Sequence, residues 1–139
     1  MPNTPADNLS SETHDVPLVD IDQCLRITKG KATLAKDMFV MLINSLDESA
    51  AMIKATFQAS NYVELQELVH QLRGGSSYCG VPRLTNMSAE LEKRIQKQHY
   101  AGLGDIIDKL LQTMTDVKIW AEKNDIGEQF NQHLSLHAE

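Results

Sequence analysis

Within ELVHQLRGGSSYCG, residues 67–80, a histidine stands beside a cation and two glycines: His70, Arg73, Gly74 and Gly75. Near neutral pH an imidazole is substantially uncharged, and one ring nitrogen keeps a free lone pair. Such a nitrogen can attack phosphorus in an acyl phosphate. Phosphoryl transfer asks little covalent chemistry of a protein but much positioning and charge neutralisation. A guanidinium one helical turn away can balance the charge of the group once it has arrived.

The helix that must carry these residues places them usefully. At about 100° per residue, Leu65, Leu68, Val69, Leu72, Ser76 and Cys79 crowd one side. His70 falls roughly opposite, with Gln66, Arg73, Gly74 and Ser77 as its neighbours one or two turns away. The imidazole is therefore expected on the outside of a helical bundle. A glycine inside a helix costs about 1 kcal/mol relative to alanine. Gly74 beside the imidazole leaves room for a bulky reactant. Gly75 is expected to point towards the core and allow close helix packing.

His70-Gln71-Leu72-Arg73-Gly74, five further residues and then Gly80 resemble the motif H-x-[LI]-[KR]-G-x5-G of histidine-containing phosphotransfer (HPt) domains. Leu84 and the pair Leu91-Glu92 fit the same pattern, and the resemblance covers about residues 18 to 122. Tyr78-Cys79-Gly80-Val81-Pro82 is similar to the C-terminal HPt domains of hybrid sensor kinases of the BarA and GacS kind.

The resemblance implies that His70 is phosphorylated, that Arg73 supports the phosphoryl group and that Gly74 gives access. Gly80 would close the active helix. It also implies a phosphorelay intermediate, taking a phosphoryl group from one receiver-domain aspartate and passing it to another. The partners would be the receiver domains of a hybrid sensor kinase and of a response regulator. Mg²⁺ is expected on the partner receiver, with no cofactor in this domain. Val63, Gln66 and Ser77, with part of the first short helix, are candidates for receiver docking. Arginine stands at the basic position where many relatives have lysine, and it is a broader, planar donor.

Other chemistry is less well supported. Ser76 and Ser77 beside a histidine invite a nucleophile reading, but no orienting acid or oxyanion hole is visible. His133 and His137 share a helical spacing without the acidic or cysteine residues that would complete a metal site. No P-loop or kinase-type glycine-rich loop is present, so phosphorylation from ATP by this chain is not expected. A helical adaptor in which His70 is incidental is the rival reading.

The surrounding elements fit an all-α fold. Aromatics are only 5% against a hydrophobic fraction of 42%, so the core must be aliphatic, which favours helices over strands. Residues 1–17 are polar and read as a flexible linker or tail. A short amphipathic helix is expected within LVDIDQCLRI, residues 18–27, ending near Gly30. A long helix follows from about Ala32 to Ala59, its stripe running through Leu34, Met38, Met41, Leu42, Ser45, Ser49, Met52, Ile53, Thr56 and Phe57. The helix bearing His70 runs from Tyr62 to about Cys79, capped by Asn61 with Glu64 three positions on. The next begins at Pro82 and reaches about Gln98, and a last long one runs from Leu103 to about Lys123. Short connections favour an antiparallel up-down four-helix bundle with a short extra helix in front. The resemblance implies an HPt domain over residues 18–124, with 125–139 expected as an extension, helical or frayed.

The net charge of −6 and the lack of a basic cluster argue against nucleic-acid binding. Cys24 and Cys79 are far apart in sequence and read as small buried hydrophobes in a reduced compartment. No apolar run is long enough to span a membrane. A cytoplasmic segment without direct membrane contact is expected, either free-standing or the cytoplasmic tail of a membrane-bound sensor kinase.

Overall fold

The computed structural model describes residues 16–137. Most of the tail expected over residues 1–17 therefore lies outside the described residues, as do residues 138 and 139. The helices are α1 (Ile21–Ile27), α2 (Ala32–Gln58), α3 (Tyr62–Tyr78), α4 (Pro82–Gln96), α5 (Leu103–Lys123) and α6 (Ile126–His137), with no strand among the described residues.

Their ends follow local chemistry. The Asp20 side chain accepts a hydrogen bond from the Gln23 backbone N–H at 3.0 Å and so starts α1. Asn61 does the same for α3, accepting from the Glu64 N–H at 3.3 Å while donating to the Glu64 carboxylate at 3.1 Å. Pro82 opens α4, where its missing N–H costs nothing.

α2, α3, α4 and α5 each pack on the next, and α5 closes back on α2. Contacts pair rising with falling residue numbers, as antiparallel neighbours require. On α2 and α3, a Cβ on Gly75 would meet Leu42, and Cys79 reaches the Met38 carbonyl. On α3 and α4, Ser76 meets Thr85 while His70 meets Glu92. On α2 and α5, Asp47 meets Lys118. α1 and α6 pack on each other and on α2.

The core is aliphatic, as the composition demands. Leu65, Val69 and Leu72 of α3, Leu84, Leu91 and Ile95 of α4, and Leu110, Met114 and Val117 of α5 are all buried in one core cluster. Three of the aromatics gather where α6 joins. Phe130 and Trp120 both set their rings edge-on to Phe39, at 6.1 and 5.8 Å between centroids. Among the described residues, Ile126–His137 form a helix held by the buried Phe130.

The buried face of α2 differs from the expected stripe. Ala35, Phe39, Leu42, Leu46, Ile53 and Thr56 are buried, whereas Leu34, Met41 and Met52 are exposed. α2 packs against α1, α3, α5 and α6 together. Its buried arc is set by those neighbours, and the methionine side is left on the surface.

Candidate functional site

The site rests on the α3–α4 contact, the most extensive between any two helices. α3 buries Leu65, Val69, Leu72 and Ser76, which turns His70 outward. Its side chain is 60% exposed. Ser76 is occupied within the interface: its hydroxyl meets that of Thr85 at 2.8 Å and donates to the Arg73 carbonyl at 3.2 Å. It is a packing residue, not a nucleophile.

α4 presents its buried stripe to the same interface, and that stripe carries one charge. Glu92 is only 10% exposed at its side chain. A buried carboxylate is costly unless paired, and Glu92 is paired twice. Arg73 Nε donates to Oε1 at 2.7 Å, and His70 Nδ1 lies 2.7 Å from Oε2. Arg73 cannot give up its charge, and the carboxylate facing it acts as acceptor. His70 Nδ1 must then carry the proton and donate it. The second ring nitrogen, Nε2, is left with the lone pair.

Arg73 also brings Nη2 to 3.1 Å from His70 Nδ1. A protonated Nδ1 cannot accept from it, so this is a close approach that keeps the guanidinium beside the ring. The arginine side chain is 41% exposed, which leaves donors free for an incoming anion.

Gly74 lies one turn from His70, and a Cβ built there would meet nothing within 4 Å. No neighbour in the fold requires that glycine, and the space beside it is open. Gly75 corrects the expectation: it faces solvent, and an added Cβ would only touch Leu42 at 3.9 Å, an ordinary contact. Close helix packing does not demand it.

Gly80 has a structural task. Its φ is +70°, and a Cβ would stand 2.3 Å from the Asp20 carbonyl oxygen. The Asp20 N–H in turn donates to the Gly80 carbonyl at 2.7 Å. This glycine both ends α3 and seats the entry to α1.

The expected docking residues fall on the His70 side of α3. Val63 is 81% exposed, Gln66 is half-buried, and the Ser77 hydroxyl donates to the Gly74 carbonyl at 2.7 Å. Beside them, a groove of about 450 Å³ runs between α2 and α3, lined by Met38, Met41, Ser45, Leu68, Gly75 and Tyr78. Met41 and Tyr78 are exposed at its rim.

Glu92 is the site residue whose role the sequence did not reveal. The available signal was a charged residue within the apolar stripe Leu84, Met87, Leu91 and Ile95, which burial obliges to find a partner. His133 Nδ1 meets the Asp22 carboxylate at 2.8 Å, tying α6 to α1. No cluster of metal-ligating side chains occurs among the described residues. No helix there is long and apolar enough to cross a membrane.

An exposed imidazole, an adjoining cation and an open approach suit a phosphoryl carrier, and the family model for the Hpt domain matches residues 37–120. The chain belongs to the Hpt domain family. α1 and α6 lie outside the stretch matched to that family. The Hpt chain is 38% identical over 96 residues to the sensor histidine kinase GacS of Pseudomonas protegens, covering 69% of this chain and 10% of that protein. It is 33% identical over 78 residues to the signal transduction histidine-protein kinase BarA of Escherichia coli K12, covering 56% of this chain and 8% of that protein. The Hpt chain thus spans about a tenth of the length of these curated relatives. In structure it resembles the Hpt domain of a hybrid histidine kinase from Shewanella, with a TM-score of 0.68 and 28% identity. That match covers 88% of this chain and 97% of the other.

Proposed function

We propose that this Hpt domain is a phosphorelay intermediate that carries a phosphoryl group on Nε2 of His70. The single observation that carries the reading is the Nδ1 contact to Glu92 at 2.7 Å, which aims the free lone pair of an exposed imidazole at solvent. Nε2 attacks the phosphorus of a receiver's aspartyl phosphate. The N–P bond forms, the acyl O–P bond breaks, and its electron pair stays on the receiver's carboxylate. A second receiver reverses the step with its own aspartate.

Arg73 supplies positive charge at the incoming phosphoryl oxygens, and Gly74 leaves its path clear. The partner is itself a folded protein, which suits an exposed histidine better than a deep pocket. Val63, Gln66 and Ser77 form the docking face around the ring, and exposed Met41 and Tyr78 extend it with apolar surface. Receiver encounters of this kind are small and transient.

Mg²⁺ is assigned to the receiver. The donor set at His70 is one imidazole, one guanidinium and a carboxylate already bridged by both, which does not fit a hard, oxygen-preferring cation. ATP hydrolysis is assigned to other domains, because the sequence holds no nucleotide-binding signature. The likeness to segments of GacS and BarA supports a place in a larger hybrid sensor kinase, on the cytoplasmic side.

The test is a two-receiver relay. Label supplied on one phosphorylated receiver should reach a second receiver only when this domain is present with His70 intact. Transfer at the same rate with His70→Gln would remove His70 from the path and favour the adaptor reading.

A further inference from the structure

The Glu92 carboxylate touches the ring nitrogen that does not react. Oε2 holds His70 Nδ1 at 2.7 Å, and Arg73 Nε holds Oε1 at the same distance. Both carboxylate oxygens are therefore fixed, from two directions, on a side chain with little exposure to water. Among the described residues, the charged groups in contact with the ring are Glu92 from α4 and Arg73 from its own helix.

The state of Nδ1 decides how readily a phosphoryl group leaves Nε2. With a proton on Nδ1, breaking the N–P bond returns its electron pair to Nε2 and releases neutral imidazole. Without that proton the leaving group would be an imidazolate anion, which leaves poorly. The phosphorylated ring that retains its proton is cationic, and a carboxylate at hydrogen-bond distance favours that charged form.

We propose that Glu92 is a positioning residue that keeps the Nδ1 proton in place through both transfers, and so holds the phosphoryl group on His70 in its labile, readily donated form. The proposal rests on His70 being the carrier. On acceptance, the Nε2 lone pair forms the N–P bond, the donor's O–P bond breaks, and the Nδ1 proton stays. On donation, an aspartate oxygen attacks phosphorus, the N–P bond breaks, and the same proton remains on the restored imidazole. No proton is exchanged with solvent in either direction. Glutamine at position 92 would lose this bias: its amide offers an oxygen to a protonated Nδ1 or an N–H to an unprotonated one.

A purely structural role is the competing account, in which Glu92 only ties Arg73 and α3 to α4. That role predicts altered stability without any change in phosphohistidine chemistry. The two separate in the lifetime of the bound group. Wild type, Glu92→Gln and His70→Gln are phosphorylated with phosphoramidate, a small donor that needs no docking, and decay is followed by ³¹P NMR across pH. His70→Gln gives the contribution of the other histidines.

Glu92→Gln should retain its phosphoryl group about fivefold longer near neutral pH, the difference between a charge-assisted and a neutral hydrogen bond. Its change from labile to stable should also lie at lower pH than in wild type. Glu92→Asp, which restores the charge, should recover a short lifetime. If glutamine cost the fold, as helical content would show, Glu92→Met at similar volume carries the same expectation. Equal lifetimes and equal pH profiles in wild type and Glu92→Gln would overturn the proposal. Equal labelling of wild type and His70→Gln would instead sink the carrier reading, whatever Glu92 does.

Discussion

The carbonyl oxygen of Asp20 lies 2.3 Å from where a Cβ on Gly80 would stand, at a backbone φ of +70°. The entry to α1 is thus pressed onto the turn that ends α3. Gly80→Ala must break both the left-handed conformation and the contact. The expected loss is about 2 kcal/mol or more, read as a shifted urea midpoint. Gly30→Ala, at φ +80° but with nothing near its Cβ, should cost less. Equal losses would mean that the Asp20 contact carries no weight.

Gly74 makes the opposite case. A Cβ there meets nothing, and the residue sits inside α3. Gly74→Ala should therefore stabilise the fold by about 0.5–1 kcal/mol through helix propensity. It should nevertheless slow transfer from a receiver, and Gly74→Leu should slow it by roughly tenfold or more by misplacing the partner. Thermal unfolding and transfer rates measured on the same variants would show stability and activity moving in opposite directions. Unchanged transfer in Gly74→Leu would contradict the role given to this glycine.

The cysteines give a pH dependence. Burial pushes the Cys24 thiol from 9.0 up to about 12, with Cys79 adding to it, and burial pushes the Cys79 thiol up to about 11. In the unfolded chain both ionise once pH passes 9, while the folded state keeps its protons. Their contribution to stability is thus fully present below about pH 9 and is lost as pH rises towards 11 and 12. Urea midpoints at about pH 8 and about pH 10.5 should fall more steeply for wild type than for a Cys24→Ala, Cys79→Ala double variant. Parallel declines would show that other groups govern the alkaline loss.

Much of this was legible in the sequence because it is local. The Asn61 cap, Pro82 at the start of α4 and the outward placement of His70 follow from neighbours within a few residues. The inner face of α2 was not legible, because four helices compete for its circumference and the choice between Phe39 and Met41 is made by partners distant in sequence. Glu92 was hidden for the same reason. Its position was visible within an apolar stripe, but the groups that satisfy it stand on another helix. The role of Gly80 was half-visible: a turn could be read, the Asp20 carbonyl behind it could not.

The most direct test of the carrier reading is to locate the phosphoryl group. The protein is incubated with a phosphorylated receiver and Mg²⁺, and the product is tested for acid-labile, base-stable label and mapped by mass spectrometry. His70→Gln removes an exposed side chain and leaves Glu92 paired with Arg73, so its stability should stay within about 0.5 kcal/mol of wild type. The account predicts label on His70 in wild type and none in the folded variant. Label on another residue, or equal label in both proteins, would contradict it.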